Sequence, residues 1–173
     1  KGMQMSRKIL LLLLFSGLVN AETITIVSGD DYAPYADSKL PDGGIAINII
    51  KKAFSTMNID VKIEWKPWAR GFNEASYGNF AGTAPYFKNP EREKLFIYSN
   101  PVIIIKTHAF IKKGQKKFDF TNTNSLIGST MCLPVGWGVT QEFSEMLKNG
   151  TIKRSEPKNI STCAKMVALG RAD

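Results

Sequence analysis

The sequence predicts an α/β protein made of two lobes in succession, and three observations carry that prediction. A strand-like segment, a helix-spaced segment, a second strand and a second helix open the chain in that order, which is the pattern of an α/β unit with a parallel sheet. A polar stretch from Gln115 to Ser125, crowded with Asn and Thr, then interrupts the pattern. Behind it the same alternation starts again.

Residues 1–21 read as a leader ahead of the fold. Arg7 and Lys8 precede the apolar run Ile9 to Phe15. That run is too short to span ~30 Å of hydrocarbon as a helix but suits the apolar core of an export signal. Val19 and Ala21 are small residues at the two positions a signal peptidase reads, so cleavage is expected after Ala21. No Cys stands at the exit, so no lipid anchor is expected and the product should be free of the membrane. Lys1 and Gly2 precede the first Met, which makes Met3 or Met5 the better initiator.

The first strand covers Thr23 to Val27 and is broken by Gly29-Asp30-Asp31. After the turn Pro41-Asp42-Gly43-Gly44, Ile45, Ile49, Ala53, Phe54 and Met57 recur at helical spacing and form the expected inward face. Val61, Ile63 and Trp65 alternate with Lys62 and Glu64 as a half-buried strand. A helix follows from Trp68 to about Tyr77 and Gly78 ends it. Phe80 to Ala84 is the candidate third strand, and Phe96–Ser99 and Val102–Ile111 are further extended segments. In the second part, Leu126–Leu133 is a strand candidate, residues 134–138 a loop, and Val139, Phe143, Met146 and Leu147 one face of a helix stopped by Asn149-Gly150. Thr151–Arg154 is a short strand candidate, and Ile160, Cys163, Ala164 and Val167 mark the last helix, ended by Gly170. A further strand is expected after such a helix, so the second lobe reads as unfinished. The resulting division is a leader over 1–21, a first lobe over 22–110 and a partial second lobe over 111–173, hinged near residues 105–115.

Composition narrows the function classes. Of the net charge of +8, three positive charges belong to the leader, and the remainder is spread along the chain. There is no basic stripe and no recognisable nucleic-acid module, so no nucleic-acid partner is expected. No second apolar run is long enough to span a membrane. Cys132 and Cys163, an even pair in an exported chain, favour a disulfide. Together with one distant His they make a poor metal site, and neither a metal nor a cofactor is expected. There is no Gly-x-Ser-x-Gly elbow and no His-Glu-x-x-His motif. The single histidine, His108, lies in the Ile-rich segment, where a structural role suits it better than general-base work.

Five short motifs, in order over nearly the whole of residues 22–173, resemble the extracellular solute-binding proteins of family 3, the polar amino-acid binders of ATP-driven importers. They are Tyr32-Ala33-Pro34-Tyr35, Pro41-Asp42-Gly43-Gly44-Ile45, Pro67-Trp68-Ala69-Arg70, Asn89-Pro90-Glu91-Arg92-Glu93 with Tyr98-Ser99-Asn100-Pro101, and Leu169-Gly170-Arg171-Ala172-Asp173. Pro-Trp-x-Arg is most similar to a divergent branch. Gly78-Asn79-Phe80-Ala81 and Gly82-Thr83-Ala84-Pro85-Tyr86-Phe87 depart from the family's usual pattern, which puts a standard amino-acid ligand in doubt. The resemblance implies a type II periplasmic-binding-protein fold that traps a small polar solute between lobes by closure, in the periplasm, as a monomer serving an ABC permease or a signalling partner. The same fold carries periplasmic enzymes, dehydratases and lyases, which form the alternative; the sensor part of a membrane receptor is a third reading.

A small zwitterion needs a cation for its carboxylate, an anion for its ammonium and flat apolar walls. Arg92 suits the carboxylate, because its planar fork matches two oxygens, unless it merely pairs with Glu91 or Glu93 on a surface turn. Thr83, at a strand's carboxyl end, offers a hydroxyl or backbone donor or is an ordinary strand residue. Tyr32 and Trp68 follow the first two strands and offer ring faces, with Tyr35 more ambiguous. Arg70 is either a second anion contact or a solvent-facing residue. Gly136 and Trp137, with Gly138, precede a helix whose N–H groups and dipole suit a carboxylate. The resemblance places the ammonium-binding Asp in a strand beyond Asp173, so Asp173 itself is not assigned that role.

Overall fold

The computed structural model describes residues 22–115, 118–119 and 121–173, so the leader expected over 1–21 lies outside the described residues. Strand β1 (Glu22–Ser28) is exposed where it starts and buried where it ends, with Val27 and Ser28 almost wholly enclosed. It is the central strand of a three-stranded sheet with order β2-β1-β3, and both neighbours run parallel to it. β2 (Ile59–Trp65) pairs along its whole length, from Glu22 opposite Ile59 to Ser28 opposite Trp65. β3 is only Gly82–Thr83, opposite Ile26 and Val27. The expected third strand is therefore cut to two residues.

Helix α1 (Ile45–Ser55) covers this sheet, burying Ala46, Ile47 and Ile50, with Phe54 packed against Ile26 and Val61. Burying Ile47 completely contributes roughly 1.5–3 kcal/mol. The inward stripe is rotated from the one the spacing predicts: Ile45 and Ile49 are 50% and 40% exposed, and Met57 faces solvent. The helix carries two adjacent apolar stripes, and contact with Ile26 and Val61 selects one of them. α2 (Trp68–Ser76) buries Trp68, Gly71 and Ala75 on one stripe, and Gly71 brings the helix onto the Val27 side chain. A single turn, α3 (Pro90–Glu93), is capped by the Asn89 side chain, which accepts from the Arg92 N–H at 2.9 Å.

The second lobe holds β4 (Thr130–Cys132) and β5 (Lys153–Ser155), again parallel, with α4 (Gln141–Lys148) and α5 (Ile160–Ala168). The front of the expected strand over 126–133 is instead a 3-10 turn, Thr123–Leu126, begun by the Asn122 side chain accepting from the Asn124 N–H. The Cys132–Cys163 disulfide is present, tying β4 to α5 with Cα atoms 5.4 Å apart. Asp173 is structural: its N–H donates to Thr130 O, and its carboxylate accepts from Thr130 N–H and the Gln115 side chain. The segments over 96–99 and 102–111 are not strands. No described strand lies beside the Ile-rich segment, and Ile104 and Phe110 are 93% and 85% exposed. A strand needs a neighbour for its backbone groups, which these residues lack. His108 is exposed with them.

Candidate ligand cleft between the lobes

Because β1, β2 and β3 are parallel, their carboxyl ends share one edge of the sheet, the edge where open α/β sheets place ligands. The segment after each strand brings an aromatic residue to that edge: Tyr32, Trp68 and Tyr86. Trp68 lies directly over Gly29, where any Cβ would run into the indole ring. Its Nε1 donates to Asp30 O and to the Asp31 carboxylate, both at 3.0 Å. Burial pushes the Asp31 carboxyl up, and its hydrogen bond from Trp68 only partly offsets that. Tyr32 is held by a tight turn: Tyr32 N–H donates to Ala36 O and Ala36 N–H to Tyr32 O. Ile45 N–H and Ala46 N–H donate to Pro34 O and Tyr35 O, so this turn also satisfies open donors at the start of α1.

Tyr86 closes the row. Its hydroxyl donates to Trp68 O at 2.8 Å, and burial pushes its pKa up to about 12. The rings form a continuous path of edge-on and tilted contacts, from Tyr32 to Trp68 at 6.0 Å, to Tyr86 at 5.4 Å, to Phe72 at 5.4 Å and to Phe96 at 5.0 Å. The Arg92 guanidinium sits 5.0 Å from the Tyr86 ring centre and 5.4 Å from that of Phe72. Its Nη1 donates to Phe87 O at 3.0 Å and its Nη2 to Gly136 O at 3.4 Å. It pairs with neither glutamate beside it. Lys94 and Lys148 take Glu91, and Lys88 takes Glu93. Among the described residues no carboxylate lies within ion-pair distance of Arg92.

The opposite wall is the loop 134–138 of the second lobe. Pro134 is fully buried, and Arg154 Nη2 donates to Pro134 O at 3.2 Å and Trp137 O at 3.0 Å, which fixes the loop. Gly136, at φ +81°, lies so close to α2 that a Cβ there would stand 2.6 Å from Ala69 N. Gly138 passes the guanidinium equally closely, at 2.9 Å from Nη1 for a notional Cβ. The Trp137 ring meets Tyr32 edge-on with centres 5.2 Å apart. Its Nε1 is buried without a hydrogen-bond partner. A Lys148–Glu91 contact at 3.3 Å also joins the lobes. The space left at this point of the cleft is about 40 Å³.

Tyr32, Trp68, Arg92, Gly136 and Trp137 thus line one cleft, together with Pro85, Tyr86, Phe87 and Gly138. Thr83 does not line it; its hydroxyl donates to Val27 O at 2.9 Å. Arg70 is exposed and pairs with Glu74 at 2.7 Å. Tyr35 packs on Tyr32. Tyr86 and Phe87 as walls, Phe72 as a ring beside Arg92 and Arg154 as the loop's anchor are not among the residues the sequence points to. The signal for Tyr86 was available, because it follows the third strand as Tyr32 and Trp68 follow the first two. A larger depression, about 1580 Å³, adjoins the cleft and shares Tyr32, Phe87, Trp137 and Gly138 with it; it runs between residues 105–113 and the second lobe, walled by apolar groups such as Phe110, Leu133, Phe143 and Val167. Among the described residues no helix is long and apolar enough to cross a membrane.

No family model matches the sequence, and no curated protein matches it. Solved structures do. An ancestral arginine-binding protein bound to arginine superposes with a TM-score of 0.67 at 18% identity, over 89% of this chain and 69% of its own. An ancestral amino acid-binding protein described as a precursor of cyclohexadienyl dehydratase gives 0.68 at 21% identity, over 87% and 67%. An arginine transport system periplasmic binding protein from Legionella pneumophila gives 0.68 at 14%, over 88% and 66%. The likeness establishes the fold: two α/β lobes of the type II periplasmic binding proteins, with this chain spanning about two thirds of its neighbours' length.

Proposed function

We propose that this chain is a divergent member of solute-binding protein family 3 that captures a small carboxylate-bearing solute, an amino acid or a similar compound, between its lobes. The observation that carries the reading is Arg92. It is a guanidinium resting against the adjoining rings of Phe72 and Tyr86 at the mouth between lobes, with backbone carbonyls accepting from it and no described carboxylate to neutralise it. A cation kept so is a receptor for an anion, and its planar fork suits a carboxylate. Tyr32, Trp68 and Tyr86 supply flat walls, and Gly136 to Gly138 close over them from the second lobe. The low-identity likeness to amino-acid-binding proteins and the leader-like residues 1–21 support an exported receptor that hands its solute to an ABC permease or a signalling protein.

The test is a thermal-shift screen of the purified protein against the common amino acids and small organic acids, beside Arg92→Ala. Compounds that raise the melting temperature of the wild type and not of the variant support the reading. Equal shifts in both proteins remove Arg92 from the site. Turnover of a bound compound would instead favour the enzyme alternative on the same fold.

A further inference from the structure

The 1580 Å³ depression is larger than the roughly 300–1,000 Å³ in which proteins hold small solutes, and its walls suit a length of polypeptide. Thr130, Met131 and Cys132, the whole of β4, line it on one side, and residues 105–113 line it on the other. We propose that it seats one strand of this protein's own polypeptide, continuous with Asp173 and parallel to β4, between β4 and residues 105–113. The proposal stands apart from the solute-capture reading and does not depend on it.

The backbone of β4 fixes how such a strand enters. β5 takes one edge: Lys153 N–H donates to Ser129 O at 2.8 Å, and Leu133 N–H to Ser155 O at 2.9 Å. Backbone groups alternate sides along a strand, so those of Thr130 and Cys132 point to the other edge. Asp173 already meets Thr130 there. Its N–H donates to Thr130 O at 3.0 Å, and its carboxylate accepts from Thr130 N–H at 2.8 Å. The first of these bonds is the kind that opens a parallel pairing, as Lys153 N–H opens that of β5. α5 returns the chain to the start of β4, so a path onward from Asp173 runs in the direction of β4. The next groups on that edge are the N–H and C=O of Cys132, which need partners when covered.

The side chains suit a strand covered on both sides. Leu133, Ala164 and Val167 present apolar surface from the second lobe. Ile105, Phe110 and Ile111 present it from a segment of strand composition beside which no described strand lies. A strand placed between them pairs with both backbones and buries both sets of side chains. Length is available for it by comparison: this chain spans 69%, 67% and 66% of the three solved neighbours. The same polypeptide is a better occupant than a second copy, because the pairing has already begun at Asp173. A segment joined there meets the edge without the loss of translational freedom that association of two molecules costs.

The experiment compares this chain with two versions extended after Asp173, one by Thr-Val-Thr-Val-Thr-Val and one by Thr-Pro-Thr-Pro-Thr-Pro. Proline stands in the second version where an N–H must donate to Cys132 O. Amide hydrogen exchange is read at Cys132 and at residues 105–111. The valine extension is expected to slow exchange on both walls by at least about tenfold, and the proline extension to leave both unchanged. Equal effects of the two extensions, or slowing on one wall alone, would overturn the proposal. So would slowing in the unextended chain that grows with its concentration alongside a dimer in light scattering, which assigns the depression to a second copy. Where an extended chain fails to fold, judged by the amides of β1 and β2, the free peptides decide. Added to the unextended chain, the valine peptide must slow the same amides and the proline peptide must not; any other result overturns the proposal.

Discussion

Reducing the Cys132–Cys163 bridge should weaken the second lobe far more than the first. The two cysteines are 31 residues apart in sequence, and in the chain-entropy picture closing a loop of that size stabilises by about 3.7 kcal/mol at room temperature. That is a large share of the roughly 5–15 kcal/mol by which an ordinary domain is stable. The second lobe has little to replace it. Its buried apolar residues are few, Leu126, Ile152, Cys163 and Ala172 with Pro134, whereas the first lobe encloses Ile26, Val27, Ile47, Ile50, Val61 and Trp68. Urea unfolding followed by fluorescence and far-UV circular dichroism, with and without reductant, measures the effect. At a slope of about 2 kcal/mol per molar, the second lobe's midpoint should fall by about 2 M, separating from a first-lobe transition reported by Trp65 and Trp68. Superposable curves for oxidised and reduced protein, or two thiols titrating in the unreduced denatured chain, would show that the bridge does not hold the second lobe.

Tyr86→Phe keeps the ring that Arg92 packs on but leaves Trp68 O without its donor, at a cost of about 1–1.5 kcal/mol by chemical denaturation. Because the Tyr86 hydroxyl titrates near 12 when folded and near 10 unfolded, the unfolded chain loses that proton first. Wild-type stability should therefore fall as pH rises from about 10 to about 12, and this component should be absent in Tyr86→Phe. Asp31→Asn should stabilise at neutral pH. The folded carboxyl titrates above its ordinary range, so the folded state holds its proton longer and wild-type stability falls as pH rises through that range. Asn retains an acceptor for Trp68 Nε1 and tolerates φ +75°, and its advantage should vanish in acid, where Asp31 is protonated. Gly29→Ala drives a methyl into the Trp68 indole and should cost about 1–3 kcal/mol or more, read as a lower melting temperature.

Much of the first lobe was legible because its signals are local. Val61, Ile63 and Trp65 alternate with charged residues, and Gly29 and Gly78 mark where elements stop, so β1, β2 and α2 appear close to where the spacing puts them. What escaped depends on neighbours. The choice between the two apolar stripes of α1 is made by Ile26 and Val61, which periodicity within the helix does not contain. The Ile-rich run at 102–111 has strand composition, but a strand is a pairing, and no described strand is beside it. The cleft was read in the same uneven way. Tyr32, Trp68 and Arg92 lie in short motifs, whereas Tyr86 stands in a segment that departs from the family pattern, and Arg154, twenty residues from the Pro134 carbonyl it holds, carries no local signal. Thr83 was placed correctly at a strand end, yet its hydroxyl turns back onto Val27 O instead of into the cleft.

Solute binding between the lobes at Arg92 differs measurably from binding deeper in the adjoining apolar depression, beside residues 105–113. Amide hydrogen exchange, with and without the carboxylate that most raises the melting temperature, tests it most directly. Binding at Arg92 should slow exchange at residues 32–36, 68–71 and 86–92, with none of that slowing in Arg92→Ala. Protection confined to residues 105–113 and α5, or unchanged in Arg92→Ala, would contradict it.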